Sequence, residues 1–317
     1  MPDYERIANE FGFGRFIDVS ALSGGGAEVM RVTTSSGVFV LKPADDGAHL
    51  ELAEEAAQVL AKAGLRQAGP LRTLAGGLVS DSGFTAAELL PGALYLRPTR
   101  AQALAIMRYL AAYHVALADV AVPPEVAQAD TIWTRVTTAD YLFGELPGLF
   151  DRFGPPGSGG RVVATALGQV ESSLSLIRSL PRQLVHGDVA PDNVLMDGDE
   201  VVAFVDFTPH YQPVVFAAAT AVYWCFVHAH PEPDVDVIWA SFDAALDRSG
   251  RPDRSALTDV EQAVWPSMLL MEALRRLATP LALAAERGTD VPPNAGARYD
   301  AVAALIQSWP RFSQARR

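Results

Sequence analysis

The chain has 317 residues, of which 50% are hydrophobic and 20% are charged, and this composition is typical of a folded globular protein rather than a disordered one. Its formal net charge is −12 and its basic residues form no Lys/Arg run, which excludes the electrostatic footprint of a nucleic-acid-binding protein. Cys225 is the only cysteine, which excludes an internal disulfide and a cysteine-based zinc cluster.

The sequence also bears on the compartment and on the number of domains. The N-terminal segment carries acidic residues and lacks the apolar core of a secretory signal, so we expect a cytoplasmic protein. The most apolar stretch, residues 214–227, is shorter than the ~20 residues that span a bilayer and predicts a buried core helix. We therefore expect no membrane partner. The length indicates two domains or one bilobal unit, and both a monomer and a homodimer remain open.

Residues 1–91 predict a small N-terminal lobe built on an antiparallel sheet with one helix. Two β-rich segments, VMRVTT and VFVLK, are separated by Ser-Ser-Gly, which is typical of a hairpin turn. The next segment, residues 50–64, has helical periodicity and ends at Gly64, a residue type typical of a helix C-cap. Further short strands are predicted between residues 69 and 90, where glycine-rich turns interrupt the apolar runs.

Residues 92–317 predict a larger and mostly helical C-terminal lobe, and Leu-Pro-Gly at residues 90–92 is the expected crossing point. Apolar side chains recur at helical spacing over residues 99–117. The exception is residues 184–208, where short apolar strands alternate with turn residues. Such strand ends hold reactive side chains in fixed positions. The predicted fold class is therefore α+β and bilobal.

Three oxygen-bearing side chains are predicted to meet in this exceptional segment. Asp188 and Asn193 are five residues apart, and an apolar strand leads from them to Asp206. Phosphoryl transfer needs a carboxylate that orients and deprotonates the attacking hydroxyl, and oxygen ligands that hold Mg²⁺ on the phosphates. Asp188 suits the first role, and Asn193 and Asp206 suit the second. The alternative interpretation, a turn-forming residue without catalytic function, is preferred for Asp192.

Lys42 provides an independent indication of phosphate chemistry. It is one of only two lysines in the chain and stands at the end of the strand VFVLK. Val40 and Lys42 share one strand face, so Val40 is placed to pack under a nucleotide base while the compact ammonium group of Lys42 binds phosphates. A buried ammonium group needs a carboxylate partner. Glu54 is the preferred partner, with Glu55 and Glu51 as alternatives.

A glycine-rich segment precedes the hairpin. Glycines let the backbone approach phosphates closely, so Gly24, Gly25 and Gly26 are predicted to contact the nucleotide. A turn without a ligand is the alternative interpretation. The position of the segment just before the lysine-bearing hairpin favours the nucleotide interpretation.

Taken together, LSGGG, FVLK, the acidic helix, LLPG, HGDVAPDN and VDF resemble the aminoglycoside phosphotransferase family, which includes choline kinases and type II homoserine kinases. The resemblance covers about residues 20 to 230. It implies a protein-kinase-like fold, with ATP or GTP and Mg²⁺ as cofactors and a small-molecule hydroxyl acceptor as partner. The implied reaction is transfer of the γ-phosphoryl group to that hydroxyl.

The resemblance also implies roles for individual residues. Asp188 becomes the catalytic base, and Asn193 and Asp206 become the magnesium ligands. Lys42 and Glu54 become the ion pair that binds phosphates. The backbone of two further residues at the lobe crossing, Glu88 and Leu90, is then expected to bind the adenine edge, and His114 is expected to form hydrogen bonds in the core.

Two positions depart from the family pattern. The family usually has Asp-Phe-Gly, and here Thr208 takes the third position with Pro209 behind it, both of which restrict the backbone. Glu28 stands in the glycine-rich segment, where its carboxylate would repel phosphates. These departures keep one alternative open, a nucleotide-binding module of the same fold without transferase activity. A hydrolase that uses Asp188 and His186 is a further alternative, and it requires His186 to face the cleft.

The acceptor pocket is expected among the variable helices of the family. The residues that we expect to line it are Trp133, Asp140, Tyr141, His210, Tyr211, Trp224, His228, His230 and Glu232. Because they form no recognisable pattern, an antibiotic hydroxyl, an amino alcohol such as homoserine or choline, and a nucleoside-like natural product all remain open. The acidic chain is compatible with a cationic acceptor.

Overall fold

A computed structural model describes residues 2–22, 29–44, 49–94, 97–128, 135–154, 159–228, 230, 232–247, 259–291 and 293–314. The predictions for Gly24, Gly25, Gly26, Glu28 and Trp133 lie outside the described residues. A small antiparallel sheet precedes a larger, mainly helical part, so the predicted bilobal α+β fold is confirmed.

Four antiparallel strands in the order β1-β2-β3-β4 form the N-terminal sheet. They are β1 (Phe16–Ala21), β2 (Met30–Thr34), β3 (Gly37–Pro43) and β4 (Phe84–Glu88). The predicted hairpin is formed by β2 and β3, which pair Thr34 with Gly37 across the turn. One face of the sheet, which includes Phe39 and Leu41, packs against a helix that the sequence analysis did not predict, α1 (Tyr4–Glu10).

The predicted helix of the N-terminal lobe is α2 (Leu50–Lys62). It ends in a Schellman motif, in which Gly64 has a φ of +76° and the N–H of Leu65 donates to the carbonyl of Leu60. Its buried stripe belongs to the large hydrophobic cluster of the C-terminal lobe and not to the cluster of the sheet. That stripe consists of Leu52, Ala56 and Leu60. The packing of α2 on the larger lobe therefore sets its rotation.

Between β4 and β5 (Ala93–Leu94) the chain leaves the four-stranded sheet and enters a second sheet. This sheet has the order β5-β7-β8 and includes β7 (Val194–Asp197) and β8 (Glu200–Phe204). A third, two-stranded sheet pairs β6 (Gln183–His186) with β9 (Pro209–Gln212). We propose residue 91 as the end of the N-terminal lobe, because the change of sheet takes place around it.

Helices around one large apolar core make up most of the C-terminal lobe. The predicted helix at residues 99–117 is α3 (Arg100–Leu117), which starts with a capping box of Thr99 and Gln102 and buries His114. The others are α4 (Pro124–Ala127), α5 (Ala139–Gly144), α6 (Leu146–Phe153), α7 (Gly159–Glu171), α8 (Leu174–Ser179), α9 (Val214–Val222), α10 (Val235–Ala245), α11 (Asp259–Arg287) and α12 (Ala295–Gln314).

The predicted buried helix is α9, in which every residue is buried and which continues into a π-helical segment, Tyr223–Val227. Single π-helical turns occur often at functional sites. Within the part of the chain that the structure describes, no helix combines the length and the apolar character that crossing a membrane requires.

Candidate active site

Asp188 lies in the loop between β6 and a short 3₁₀ turn, Pro191–Asn193. The buried ring of His186 braces this loop from inside. The backbone N–H of Asp188 donates to Nδ1 of His186 at 3.3 Å, and Nε2 lies 3.2 Å from the carbonyl oxygen of Val205. Because a carbonyl only accepts, Nε2 carries the proton, and burial lowers the pKa of this ring. His186 is therefore a neutral structural residue, which removes the geometry that the hydrolase alternative requires.

Asn193 connects the loop of Asp188 with the strand that leads to Asp206. Its Nδ2 donates to the carbonyl oxygen of Asp188 at 2.9 Å, and its own carbonyl accepts from the N–H of Val205 at 2.9 Å. Asp206 has a φ of +54°, the only positive value outside glycine in the described ranges. Such backbone strain persists where the surroundings fix it, and it concentrates at functional sites. The structure therefore brings Asp188, Asn193 and Asp206 into one cluster of loops.

Lys42 reaches this cluster from the N-terminal sheet. Its Nζ lies 2.6 Å from Oδ1 of Asp206. Val40 is half-buried and lies on the same face of β3, since the alternate residues Phe39 and Leu41 pack into the core of the sheet. An ammonium group of one lobe and a carboxylate of the other therefore meet in the cleft.

Glu54 does not form the expected pair with Lys42. Nε of Arg72 donates to Oε1 of Glu54 at 2.8 Å, and Nη2 of the same arginine contacts Oε2. Residues two positions apart lie on nearly opposite sides of a helix, so the burial of Leu52 turns Glu54 away from the large core and beside Arg72. The alternative, Glu55, is exposed. The carboxylate partner of Lys42 is instead Asp206.

A buried ion network that the sequence analysis did not predict holds Asp188. Nη2 of Arg276 donates to Oδ1 of Asp188 at 2.6 Å, and Nε of Arg276 donates to Oε1 of Glu272 at 2.7 Å. Arg275 contacts both carboxylate oxygens of Glu272, at 2.6 and 2.7 Å. All three network residues lie on α11, where positions three and four apart share one face. The sequence feature that could have revealed this network is the presence of three charged residues in the otherwise apolar run MLLMEALRRLA.

The network keeps the carboxylate of Asp188 ionised. Burial raises the pKa of Asp188, but the charge and the hydrogen bond of Arg276, with the charge of Arg275, outweigh burial and leave the pKa lowered. Burial also raises the pKa of Glu272, and the same two arginines leave it lowered. Burial lowers the pKa of Arg276, but the carboxylates of Glu272 and Asp188 outweigh burial and leave this pKa raised. Asp188, Glu272 and Arg276 are therefore charged at neutral pH, and Asp188 is a weak base in a fixed position.

Two of the expected acceptor-pocket residues lie beside this network. The guanidinium carbon of Arg276 lies over the ring of Trp224, 4.9 Å from its centroid. The ring of His228 meets that of Trp224 edge to face, with centroids 4.7 Å apart. The π-helical segment produces this arrangement, since the N–H of His228 bonds the carbonyl of Tyr223 at 2.7 Å. Trp224 and His228 are therefore linked to Asp188 through Arg276.

His210 has a structural role instead. It is buried on β9, and its ring stacks on Phe216 with centroids 6.0 Å apart. Burial, with smaller effects from neighbouring charges, lowers the pKa of His210 to about 3, so the ring is uncharged at neutral pH. The ring occupies the space in which a side chain at Gly187 would lie. His210 therefore fixes the backbone next to Asp188.

The remaining acceptor-pocket predictions lie in other surroundings. Asp140 is 87% exposed and pairs with Arg178 at 2.6 Å. Tyr141 is half-buried and packs against the large core. Tyr211 pairs with Leu184 between β9 and β6 and is 36% exposed. The other two described residues are exposed, namely His230 and Glu232.

Comparison with known proteins identifies the family. Residues 18–257 match the family described as "Phosphotransferase enzyme family". The homoserine kinase of Methylobacillus glycogenes is 38% identical over 99 residues, which are 31% of this chain and 29% of that kinase. The match thus spans less than a third of that curated relative.

Solved structures of kinases share the fold. A microcompartment-associated aminopropanol kinase has a TM-score of 0.71 at 14% identity, with 98% of this chain and 97% of that chain covered. An amicoumacin kinase in complex with AMP-PNP, Ca²⁺ and Ami has a TM-score of 0.66 at 16% identity, with 96% of this chain and 91% of that chain covered. The fold and family predictions are confirmed: the chain belongs to the phosphotransferase enzyme family and has its kinase-like fold.

Proposed function

We propose that the chain is a Mg²⁺-dependent kinase that transfers the γ-phosphoryl group of ATP or GTP to a hydroxyl group of a small molecule. One observation carries the proposal. The ionised Asp188, fixed by Arg276, shares a cluster of loops with Asn193 and Asp206, and Lys42 of the other lobe lies 2.6 Å from Asp206. Membership in a phosphotransferase family supports the reaction class.

Asn193 and Asp206 fit the requirements of a magnesium site. Magnesium prefers oxygen ligands and keeps several waters, so one amide oxygen and one carboxylate together with phosphate oxygens suffice. The amide oxygen of Asn193 and Oδ2 of Asp206 accept no hydrogen bond from another described residue. When bound, the ion would neutralise charge on the transferred phosphoryl group. We assign these two side chains as its protein ligands.

Lys42 and its neighbours are the proposed nucleotide site. The compact ammonium of Lys42 suits the phosphates, and Asp206 already supplies its carboxylate, so this role does not require Glu54. Val40 on the same strand face is the proposed contact of the base. The backbone of Glu88, at the end of β4, and of Leu90 after it are the proposed contacts of the adenine edge. The complex of the amicoumacin kinase with AMP-PNP supports a nucleotide triphosphate as donor.

Asp188 is the proposed catalytic base. Its carboxylate accepts the hydrogen bond of the attacking hydroxyl and orients the oxygen toward the γ-phosphorus. It takes the proton as the new P–O bond forms and the bond from the γ-phosphorus to the leaving nucleoside diphosphate breaks. Phosphoryl transfer passes through a loose transition state, so orientation contributes more than basicity, and a carboxylate of lowered pKa is adequate. The backbone carbonyl of Thr208 accepts a hydrogen bond from the N–H of Gly187 at 2.8 Å. The residue that replaces the glycine of Asp-Phe-Gly therefore still contacts the loop of Asp188.

An amino alcohol is the favoured acceptor class. The matched relatives include a homoserine kinase and an aminopropanol kinase, and both names describe small amino alcohols. An antibiotic hydroxyl remains the second acceptor class, since the amicoumacin kinase shares the fold.

The test combines binding and product detection. We expect MgATP or MgGTP to raise the melting temperature of the protein, and mass spectrometry to detect a phosphorylated product from a panel of small hydroxyl compounds. Nucleotide stabilisation without a product from any acceptor would support the non-catalytic binding module instead. No stabilisation by either nucleotide would contradict the proposed function.

A further inference from the structure

Arg298, in the first turn of α12, is a half-buried cation that has no acidic partner within the described portion of the chain. Its Nη1 donates to the carbonyl oxygen of Arg276 at 2.9 Å, and its Nε is buried without a hydrogen-bond partner. A guanidinium has five N–H donors, and buried charges are normally paired. Most of the N–H donors and the charge of this side chain therefore have no partner among the described residues.

Pro280 explains only part of this arrangement. Proline has no N–H, so Pro280 within α11 leaves the carbonyl of Arg276, four residues earlier, without its helical hydrogen bond. Arg298 restores that bond with one of its donors. A neutral side chain would do the same, so this structural role does not account for a third positive charge next to Arg275 and Arg276.

The surroundings of Arg298 are those of the acceptor side of the site. We call Trp224, His228, Arg276 and Arg298 the arginine patch. Arg276 joins the patch to Oδ1 of Asp188 at 2.6 Å. Nε1 of Trp224 is a second buried donor without a partner. Burial lowers the pKa of His228, and the charges of Arg298 and Arg276 lower it further, so this ring is neutral.

The charge of Arg298 itself favours an anionic ligand. Arg275 and Arg276 bind the carboxylates of Glu272 and Asp188, whereas Arg298 binds only a carbonyl oxygen. Asp192 also interacts with Asp188 and Arg276, so those charges are balanced without Arg298. A cationic antibiotic would be repelled by Arg298. A carboxylate would neutralise its charge and would accept two hydrogen bonds from its guanidinium fork.

We propose that Arg298 binds a carboxylate group of the acceptor, so that the acceptor is a hydroxy acid or a hydroxyl-bearing amino acid rather than a polycation or a simple amino alcohol. The inference rests on the phosphotransferase function proposed above. Arg298 is then a specificity residue, which holds the carboxylate of the acceptor while Asp188 orients its hydroxyl. Arg276 lies between Arg298, which would bind the carboxylate, and Asp188, which would bind the hydroxyl.

L-Homoserine and 3-aminopropan-1-ol test the inference, because they differ only in the carboxylate. Their binding is measured by calorimetry on the full chain with Mg²⁺ and AMP-PNP present, with spectinomycin as a cationic probe. We expect wild type to bind L-homoserine at least about 10-fold more tightly than either other compound, as a charge-assisted hydrogen bond predicts. In Arg298→Gln, where the amide still donates to the Arg276 carbonyl, the affinity for L-homoserine falls roughly 10- to 100-fold.

Two variants separate this role from a structural one. Arg178→Gln also removes one positive charge, at a side chain that is 58% exposed. We expect it to leave the affinities for all three compounds unchanged. The double variant Pro280→Ala/Arg298→Gln supplies the Arg276 carbonyl with a helical N–H, and it should still lack the preference for L-homoserine. Recovery of the preference in this double variant would show that Arg298 acts only on the helix, and would overturn the inference.

Several other results would also decide whether the acceptor carries a carboxylate. Equal binding of L-homoserine and 3-aminopropan-1-ol by wild type, tighter binding of spectinomycin, binding of none of the three, or an unchanged preference in Arg298→Gln would each overturn the inference. If AMP-PNP still binds and Asp188-dependent transfer to another hydroxyl is observed, only the carboxylate inference fails. If wild type binds no AMP-PNP, the proposed function fails as well.

Discussion

Nη2 of Arg276 lies 2.6 Å from Oδ1 of Asp188, and the two residues are 88 positions apart in the chain. Arg276 is also bound to Glu272, whose side chain is fully buried, so its own position is fixed from behind. A long helix of the C-terminal lobe therefore sets the position of the proposed catalytic carboxylate. The orientation of the attacking hydroxyl depends on α11 as well as on the loop that carries Asp188.

Replacement of Arg276 is expected to change the pH dependence of the reaction. Without this cation, burial would raise the pKa of Asp188, so the carboxylate would become protonated at a higher pH. In Arg276→Met we expect the acidic limb of the kcat profile to move to higher pH, and kcat at neutral pH to fall roughly 10- to 100-fold because orientation is lost. A pH–rate profile measures both effects.

Two controls accompany this variant. Arg276→Lys keeps the charge and should return the acidic limb toward its wild-type position. Arg275→Met disturbs Glu272 but removes no hydrogen bond to Asp188, so its limb should move less. An acidic limb at the wild-type pH in Arg276→Met would show that Arg276 does not control Asp188.

Lys42 is expected to matter for nucleotide binding and little for stability. Its pair with Asp206 is partly exposed, at 35% and 57% of the two side chains, and such pairs contribute about 0 to 1 kcal/mol to the free energy of unfolding. Lys42→Met should therefore unfold near the wild-type denaturant midpoint, while the KM for ATP rises roughly 10-fold or more. Lys62→Met, which replaces the other lysine, serves as the matched control. Wild-type KM in Lys42→Met would exclude it from the nucleotide site.

Local patterns carried most of the successful predictions. The β2–β3 hairpin, the end of α2 at Gly64 and the buried helix α9 each depend on residues close in sequence, such as a turn glycine or an uninterrupted apolar run. The grouping of Asp188, Asn193 and Asp206 also lies within one short segment. Local sequence patterns alone therefore located these features.

The missed features depend on tertiary packing. Glu54 binds Arg72 because the burial of Leu52 on the large lobe sets the rotation of α2, and a helical pattern does not reveal which lobe receives the stripe. Arg276 and Arg298 come from helices far from the motif in sequence. The three charged residues in the apolar run of α11 could have indicated a buried ion network, but they do not reveal that Asp188 is its partner.

Gly187 is expected to be intolerant of a side chain. A Cβ there would lie 2.6 Å from Cγ of the buried His210 ring, so Gly187→Ala overpacks the base of the Asp188 loop. We expect a loss of about 1 to 3 kcal/mol in the free energy of unfolding, measured by urea denaturation. Gly187→Ala/His210→Ala should unfold at a higher urea concentration than expected from the two single changes added together, because the clash is absent.

Gly168→Ala on α7 is the matched control, since no atom lies within contact of its added Cβ, and it should be neutral or stabilising. Additive losses in the Gly187 and His210 double variant would show that the two residues do not contact each other.

The most direct test of the account is the turnover of Asp188→Asn with the acceptor that the product screen identifies. We predict that kcat falls roughly 10²- to 10⁴-fold, while MgATP still raises the melting temperature as it does in wild type. Asp197→Asn, at an exposed position on β7, should keep wild-type turnover. Wild-type turnover in Asp188→Asn would contradict its assignment as the catalytic base.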